Sequence, residues 1–345
     1  MIGIVPVGNR KVEIRDFELP EPGNGQVLVD IKCSGICGSD LNTYRMKWNE
    51  IGERQNLILG HEAGGIVVEV GACVRNIKVG DRVCVYHFLG CNNCKYCHEG
   101  NYGWCESMKA YGLNIHGAMS EFLLAEEKNC CVFPEVLPFE DATFLACSAG
   151  TAYASIKKLD DFATNGYIAI IGLGPIGLIA SILAQKKGWD TIALDLSENR
   201  VNFAKKQGIN AIIRRKDKEI TEQVKEIMDG KQPIRVYDTS GHPDGLADAF
   251  SIARNGAHIV SIGKGKRVYQ YSNKMSVSEL VEKQITLKGS WVFTLPDYYE
   301  LLELMLNKEI SFNKIVTDRF KFSDAQEAFE KAADINHAGK VVFVK

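Results

Sequence analysis

The chain of 345 residues carries 41 lysines and arginines against 43 aspartates and glutamates, for a formal net charge of −2, and 46% of it is hydrophobic. That length suggests two domains with ordinary cores, and the charge balance gives no electrostatic reason to expect nucleic acid or a membrane surface as a partner. Eleven cysteines fit metal sites and free thiols in a cytoplasmic protein better than a disulfide framework, because the first residues, MIGIVPVGNRKVEIRD, lack a basic stretch followed by an apolar one.

Residues 1 to about 147 read as short β-runs separated by turn residues. Pro20, Pro22, Gly23 and Gly25 precede the first clear run, Gln26–Ile31, and a second spans Gly65–Gly71. Beside them stand Ile36-Cys37-Gly38-Ser39-Asp40 and Leu59-Gly60-His61-Glu62. Taken singly, a cysteine is usually a small buried residue and a histidine a hydrogen-bonded one. Cys147, in Ala146-Cys147-Ser148-Ala149-Gly150-Thr151, makes a third candidate. Cys37, His61 and Cys147 together form a Cys2His set, which leaves a fourth position for water or substrate and suits catalytic zinc. Cys91, Cys94, Cys97 and Cys105 follow the spacing C-x2-C-x2-C-x7-C. Four thiolates on one short loop fill a tetrahedral zinc, so this site is closed and structural.

From about Ser155 to 289, strands alternate with helical patterns. Tyr167–Ile171 and Thr191–Asp195 read as strands, Gly177–Lys187 and Arg200–Gln207 as helices. The alternation implies an α/β domain with a doubly wound parallel sheet. The apolar run Tyr167–Ala184 is long enough to span a bilayer, but three glycines and a proline interrupt it. It reads instead as a buried strand turning into a helix. Its glycine-rich turn is Gly172-Leu173-Gly174-Pro175-Ile176-Gly177, and Asp195 lies 23 residues beyond Gly172 at the end of the next strand. Strand, glycines, helix and acid stand in the order of a dinucleotide site. The glycines let backbone approach a pyrophosphate at the helix N-terminus. The Asp195 carboxylate suits ribose hydroxyls and repels a 2′-phosphate, which favours NAD over NADP. Further on, Asp297–Leu306 and Ser323–Ala333 read as amphipathic helices and Lys340–Lys345 as a strand, segments able to return to the first domain.

Gly60-His61-Glu62-Ala63-Gly64-Gly65 with Gly71, the four-cysteine lobe and Cys37-Gly38-Ser39-Asp40 together resemble the zinc-dependent medium-chain alcohol and polyol dehydrogenases, in order and over essentially the whole chain. The resemblance implies a β-rich GroES-like catalytic domain over 1–147 and 290–345, with its zinc lobe at 88–108, and a Rossmann NAD-binding domain over 148–289. It implies two zinc ions per chain: a structural one on the lobe and a catalytic one on Cys37, His61 and Cys147. Glu62 either sits behind that metal or ligates it transiently, and Asp40 orients His61. Arg200 joins Asp195 at the ribose, Ile262 in Val260-Ser261-Ile262-Gly263 lies against the nicotinamide, and Thr151 is a further cofactor contact. Ser39 carries the substrate proton. A homodimer or homotetramer is implied.

Two departures bear on the proton path and on the substrate. Many relatives have a histidine five residues after the first ligand cysteine, where it ends a proton relay. Asn42 stands here, and asparagine takes up no proton near neutral pH. Relatives commonly place a large apolar residue at the position of His87. With Thr43 and Trp291 as further pocket candidates, and Tyr44, Arg45 and Lys47 nearby, a polar pocket favours a polyol or other polar secondary alcohol. A simple alcohol or aldehyde as substrate, or a non-catalytic binding protein, are the alternatives; the complete set of zinc ligands and cofactor glycines speaks against the latter.

Overall fold

The computed structural model describes residues 1–160, 166–264, 277–307 and 309–345. Its described residues form two compact units, Met1–Gly150 with Phe293–Lys345, and Thr151–Val292.

The first unit is organised by the strand Gln26–Gly35. Val27, Val29 and Ile31 are fully buried while Asp30 and Lys32 on the alternate positions are half-buried, the two-residue period of a strand with one face on a core. This strand lies inside a seven-stranded sheet in the order Val316–Phe320, Lys340–Val344, Gln26–Gly35, Ala63–Val70, Arg82–Val85, Cys130–Val132. Phe122–Glu126 pairs with its N-terminal half and Lys340–Val344 with its C-terminal end. The pairing with Ala63–Val70 runs from Val27↔Val70 to Ser34↔Ala63, with register shifts at Leu28/Val29 and Ile31/Cys33 that bend and twist the sheet. Val67, Val83, Val85, Leu123, Phe329 and Phe343 complete the core. Each such side chain contributes roughly 1.5–3 kcal/mol by its burial.

This register gathers three strand ends. Gly35 hydrogen-bonds the carbonyl of Glu62 at 3.0 Å, and Ile36 that of Val341 at 3.1 Å. The backbone leading to Cys37, the one carrying His61 and Glu62, and the first residues of the C-terminal strand are thus held side by side. The helix Phe139–Ala146, buried from Asp141 onwards, delivers Cys147 at its C-terminus.

The second unit is a six-stranded sheet in the order Ala211–Ile213, Asp190–Asp195, Tyr167–Ile171, Arg235–Asp238, His258–Ser261, Thr286–Gly289. Every neighbouring pair is parallel. In sequence order this is 3-2-1-4-5-6, the Rossmann arrangement. Ile168, Ala169 and Ile170 are wholly buried, as a central parallel strand covered on both faces requires. The apolar run that follows breaks at Gly172 and resumes as the helix Pro175–Lys186, started two residues earlier than its apolar pattern suggests because proline at the first helical position loses no hydrogen bond. Among the described residues no helix is long and apolar enough to cross a membrane.

Candidate active site and metal centres

The lobe is pinned at its base by the strands Phe88–Leu89 and Lys109–Ala110. A short helix, Lys95–His98, begins directly after Cys94, and a 3-10 turn, Tyr102–Trp104, leads into Cys105. The four sulfurs all lie within 4.8 Å of one another. Cys94 Sγ is 3.5 Å from Cys97 Sγ, and Cys91 Sγ 3.9 Å from it. A tetrahedral zinc with Zn–S bonds of about 2.3 Å places sulfurs about 3.8 Å apart, so the lobe already has the spacing of a ZnS4 site. The backbone N–H of Asn93 holds the Cys91 thiol down to about 6, helped by Cys105, which prepares a thiolate for a metal.

The second cluster is Cys37, His61, Glu62 and Cys147, again with ligand atoms within 4.8 Å of one another. Cys37 sits just before the helix Gly38–Tyr44, and its N–H donates to Asp40 Oδ2 at 2.8 Å. The other oxygen, Asp40 Oδ1, lies 3.4 Å from His61 Nδ1. One carboxylate therefore hydrogen-bonds the Cys37 backbone and places its charge beside His61 Nδ1, outside hydrogen-bond geometry, which leaves Nε2 on the other edge of the ring. The Cys147 thiol holds Cys37 well below the ordinary thiol range, while burial opposes it and the His61 ring assists. The same contact raises Cys147. Burial works against a charged His61, but Asp40 and Cys37 outweigh it and raise the ring. A thiolate, an imidazole and a second thiol competing for protons form a donor set that a zinc ion satisfies, displacing those protons.

Glu62 is fully buried, and its Oε2 lies 2.6 Å from Nζ of Lys340, itself 2% exposed. The contact is an ion pair in distance, with angles outside hydrogen-bond geometry. Burial lifts the Glu62 carboxyl to about 7 against the pull of Lys340. Burial works to lower Lys340, but Glu62, Cys37 and Cys147 together outweigh that and raise the ammonium. A Cβ on Gly35 would stand 2.1 Å from Glu62 Oε2, so only glycine leaves the carboxylate its seat. Sequence reasoning missed Lys340, which reads there only as the first residue of an apolar strand.

Around this cluster, Ser39 Oγ is 3.3 Å from His61 Nε2. His87 is 3% exposed, its ring centroid 5.0 Å from that of His61, and its Nδ1 lies 2.8 Å from the carbonyl of Ala146. Burial, reinforced by His61, holds its ring down to about 3. Tyr86 donates to the carbonyl of Phe293 at 2.7 Å, and its ring centroid lies 5.8 Å from that of His87. Thr43 and Tyr44 are buried within their helix, whereas Asn42, Arg45 and Lys47 are exposed. Trp291, in the second unit, is 45% exposed with Lys264 Nζ 3.8 Å from its ring centroid.

In the second unit, Gly172 has φ +94°, and a Cβ on Gly177 would lie 1.9 Å from the Gly172 carbonyl oxygen. Both positions require glycine, one for its backbone angle and one for the close approach of helix to turn. Gly174 precedes the helix, followed by Pro175 and Ile176 in its first turn. Asp195 accepts from the N–H of Leu173 at 2.7 Å through Oδ2 and from that of Ser197 at 2.8 Å through Oδ1, and Arg200 Nη1 lies 3.7 Å from Oδ2. A cavity of about 710 Å³ opens beside Gly172, Asp195, Arg200, Arg214, Ser240 and His242. It lies at the C-terminal strand ends, where the strand order reverses between Tyr167–Ile171 and Arg235–Asp238. Ile262 follows the strand His258–Ser261 and donates to the carbonyl of Asp238 at 3.0 Å. Thr151 is buried in the helix Ser148–Lys157.

Comparison with known proteins agrees with these two centres. Residues 23–135 match the alcohol dehydrogenase GroES-like domain and residues 175–307 the zinc-binding dehydrogenase family. An uncharacterized zinc-type alcohol dehydrogenase-like protein of Escherichia coli is 32% identical, over 97% of this chain and 96% of that protein. D-arabitol-phosphate dehydrogenase of Enterococcus avium is 31% identical, over 93% of this chain and 90% of its own. The crystal structure of galactitol-1-phosphate dehydrogenase from Escherichia coli superposes with a TM-score of 0.86 at 25% identity, covering 100% of both chains. The chain belongs to the zinc-type medium-chain alcohol and polyol dehydrogenases, enzymes of zinc-dependent, NAD-linked oxidoreduction at an alcohol carbon.

Proposed function

We propose that the enzyme oxidises a secondary hydroxyl of a polyol, sugar alcohol or similarly polar alcohol with NAD, and reduces the ketone in the reverse direction. The observation that carries this reading is the Cys37–His61–Cys147 cluster with the Ser39 hydroxyl 3.3 Å from His61 Nε2 and a histidine, His87, in the adjoining wall. When bound, zinc supplies Lewis-acid polarisation of an alcohol oxygen and NAD accepts hydride. Cys37, His61 and Cys147 would hold the metal, and Glu62 stays paired with Lys340. Asp40 keeps the His61 ring oriented. Ser39 takes the hydroxyl proton and passes it outward. Asn42 does not receive it, and His87, held far below neutral basicity, does not store it. From Ser39 the proton passes to water. Gly172, Gly174, Pro175, Ile176 and Gly177 cradle the pyrophosphate, Asp195 and Arg200 take the adenosine ribose, and Ile262 and Thr151 serve the nicotinamide side. Cys91, Cys94, Cys97 and Cys105 hold the structural zinc.

The protein acts as a homodimer or homotetramer, a reading supported by the exposed Leu287 on the edge strand Thr286–Gly289 and by exposed Val281 nearby in the chain. Its cysteines, all free, suit the reducing cytoplasm. A panel of polyols, sugar acids and secondary alcohols, assayed with NAD and with NADP, tests the proposal. Turnover of polar secondary alcohols with NAD is expected. Preference for long aliphatic primary alcohols would overturn it.

A further inference from the structure

The cavity beside Asp195 has an ion pair in its wall that the ribose site does not use. Arg214 follows the strand Ala211–Ile213, and its backbone N–H donates to the Asp195 carbonyl at 2.9 Å, so it stands directly beside that acid. Its guanidinium meets Asp248, on the helix Pro243–Ile252, in a two-pronged pair: Nε to Oδ2 and Nη2 to Oδ1, each at 2.9 Å. A third bond runs from Nη1 to the carbonyl of Arg215 at 2.9 Å. Both side chains line the cavity, and both are still partly open, at 18% and 13% of their surface. The pair is not needed to hold its loop. Gln223, 5% exposed, already does so: it accepts from the N–H of Arg215 at 3.0 Å and donates to the carbonyls of Arg215 and Lys218 at 3.0 and 2.9 Å.

A fork of this kind uses one lone pair on each carboxylate oxygen and one hydrogen on each nitrogen. It leaves the outer N–H of Nη2 and the outer lone pair of Oδ1 side by side, 2.9 Å apart. Adenine carries the complement on one edge, its N7 acceptor beside its N6 amino donor. We propose that the Arg214–Asp248 pair reads the base of the dinucleotide, Arg214 donating to N7 and Asp248 accepting from the N6 amino group. The inference rests on the reading of Asp195 as the ribose acid. The base hangs one bond from that ribose, and Leu196 and Ile220 in the same cavity offer apolar cover for its faces. Hypoxanthine keeps N7 but has an oxygen in place of the amino group, which opposes the Asp248 carboxylate acceptor to acceptor. A 7-deaza base keeps the amino group and gives Arg214 no acceptor. Hydrogen bonds to charged groups are the strong ones, and leaving them unmade discriminates between ligands.

The test titrates the whole enzyme by calorimetry with the 5′-monophosphates of adenosine, inosine and 7-deazaadenosine, each checked for displacement by NAD. The wild type should bind the adenosine nucleotide about 10- to 100-fold more tightly than either analogue. Its kcat/KM should favour NAD over nicotinamide hypoxanthine dinucleotide by a similar factor. In Asp248→Asn, whose amide can turn its N–H groups towards a carbonyl oxygen, the preference for adenosine over inosine should fall towards one or invert. A merely structural role for Asp248 would weaken both nucleotides alike and leave their ratio unchanged, and the wild-type comparison stands whether or not the variant folds. Either analogue binding the wild type as tightly as the adenosine nucleotide overturns the inference and leaves the NAD reading in place. So does an undiminished preference in an Asp248→Asn protein with the wild-type thermal midpoint. A wild type that binds neither the adenosine nucleotide nor NAD removes the ribose assignment, and the inference with it.

Discussion

The hydroxyl of Ser39 lies 3.3 Å from the ring nitrogen that faces the metal seat, within reach of an alcohol oxygen held there. Ser39→Ala should therefore reduce turnover about 100-fold or more while zinc content stays unchanged, as the loss of a positioned proton carrier does. Asn42→Ala should change turnover little, since the amide carries no transferable proton and is exposed at the surface. A large loss in Asn42→Ala with normal NAD binding would show that the proton takes another route. Asp195 answers a different question. Its carboxylate is fixed by the N–H groups of Leu173 and Ser197, beside the basic side chains of Arg200, Arg214 and Lys216 in the same cavity. Asp195→Ala should weaken NAD binding and raise relative acceptance of NADP, because the repelling carboxylate goes and the arginines and lysine remain. Titration of both cofactors by fluorescence checks this, and a wild type that prefers NADP would refute it.

At the level of elements, the site depends on two pieces held by contrasting forces. The four-cysteine lobe has little regular structure and relies on its metal. Cys94→Ser should lose one zinc and lower the thermal midpoint by roughly 5 °C or more before catalysis suffers, since a closed metal site contributes folding free energy directly. Normal stability with lost turnover would mean that the lobe is not structural. The C-terminal strand Lys340–Val344 contributes the other piece, the buried cation that faces Glu62. Lys340→Met leaves that carboxylate uncompensated in the interior. Denaturant unfolding should show a loss of about 3–5 kcal/mol, the cost of breaking a buried pair from one side. A second substitution, Glu62→Gln in the same background, should restore part of it.

For the whole molecule, two metal centres predict two zinc ions per chain. Elemental analysis of protein prepared without chelator should give that ratio, and a single zinc would remove one of the two assignments. Light scattering should give two or four times the chain mass of 38.2 kDa. A monomer in solution would contradict the proposed assembly.

The cysteine spacing at 91–105 and the glycine turn at 172–177 were legible in the sequence because their ligands and backbone lie close along the chain. Local spacing alone fixes what such a loop can wrap, and the alternation of strand and helix between 167 and 207 similarly follows from periodicity. The three proposed zinc ligands Cys37, His61 and Cys147 could be nominated by type and by resemblance. Their convergence, however, depends on a sheet register that pairs Ser34 with Ala63 and Phe343 with Ser34, and on the helix that ends at Ala146. Non-local pairing also decided what no local pattern signals: that Lys340 reaches Glu62, that one carboxylate of Asp40 serves both Cys37 and His61, and that the carbonyl of Ala146 meets Nδ1 of His87. Sequence determined which atoms can bind a metal or a cofactor, since that is a property of residue type and short-range spacing. Only the tertiary structure decided which charges and lone pairs face one another, because partners far apart in the chain are brought together by burial and strand register.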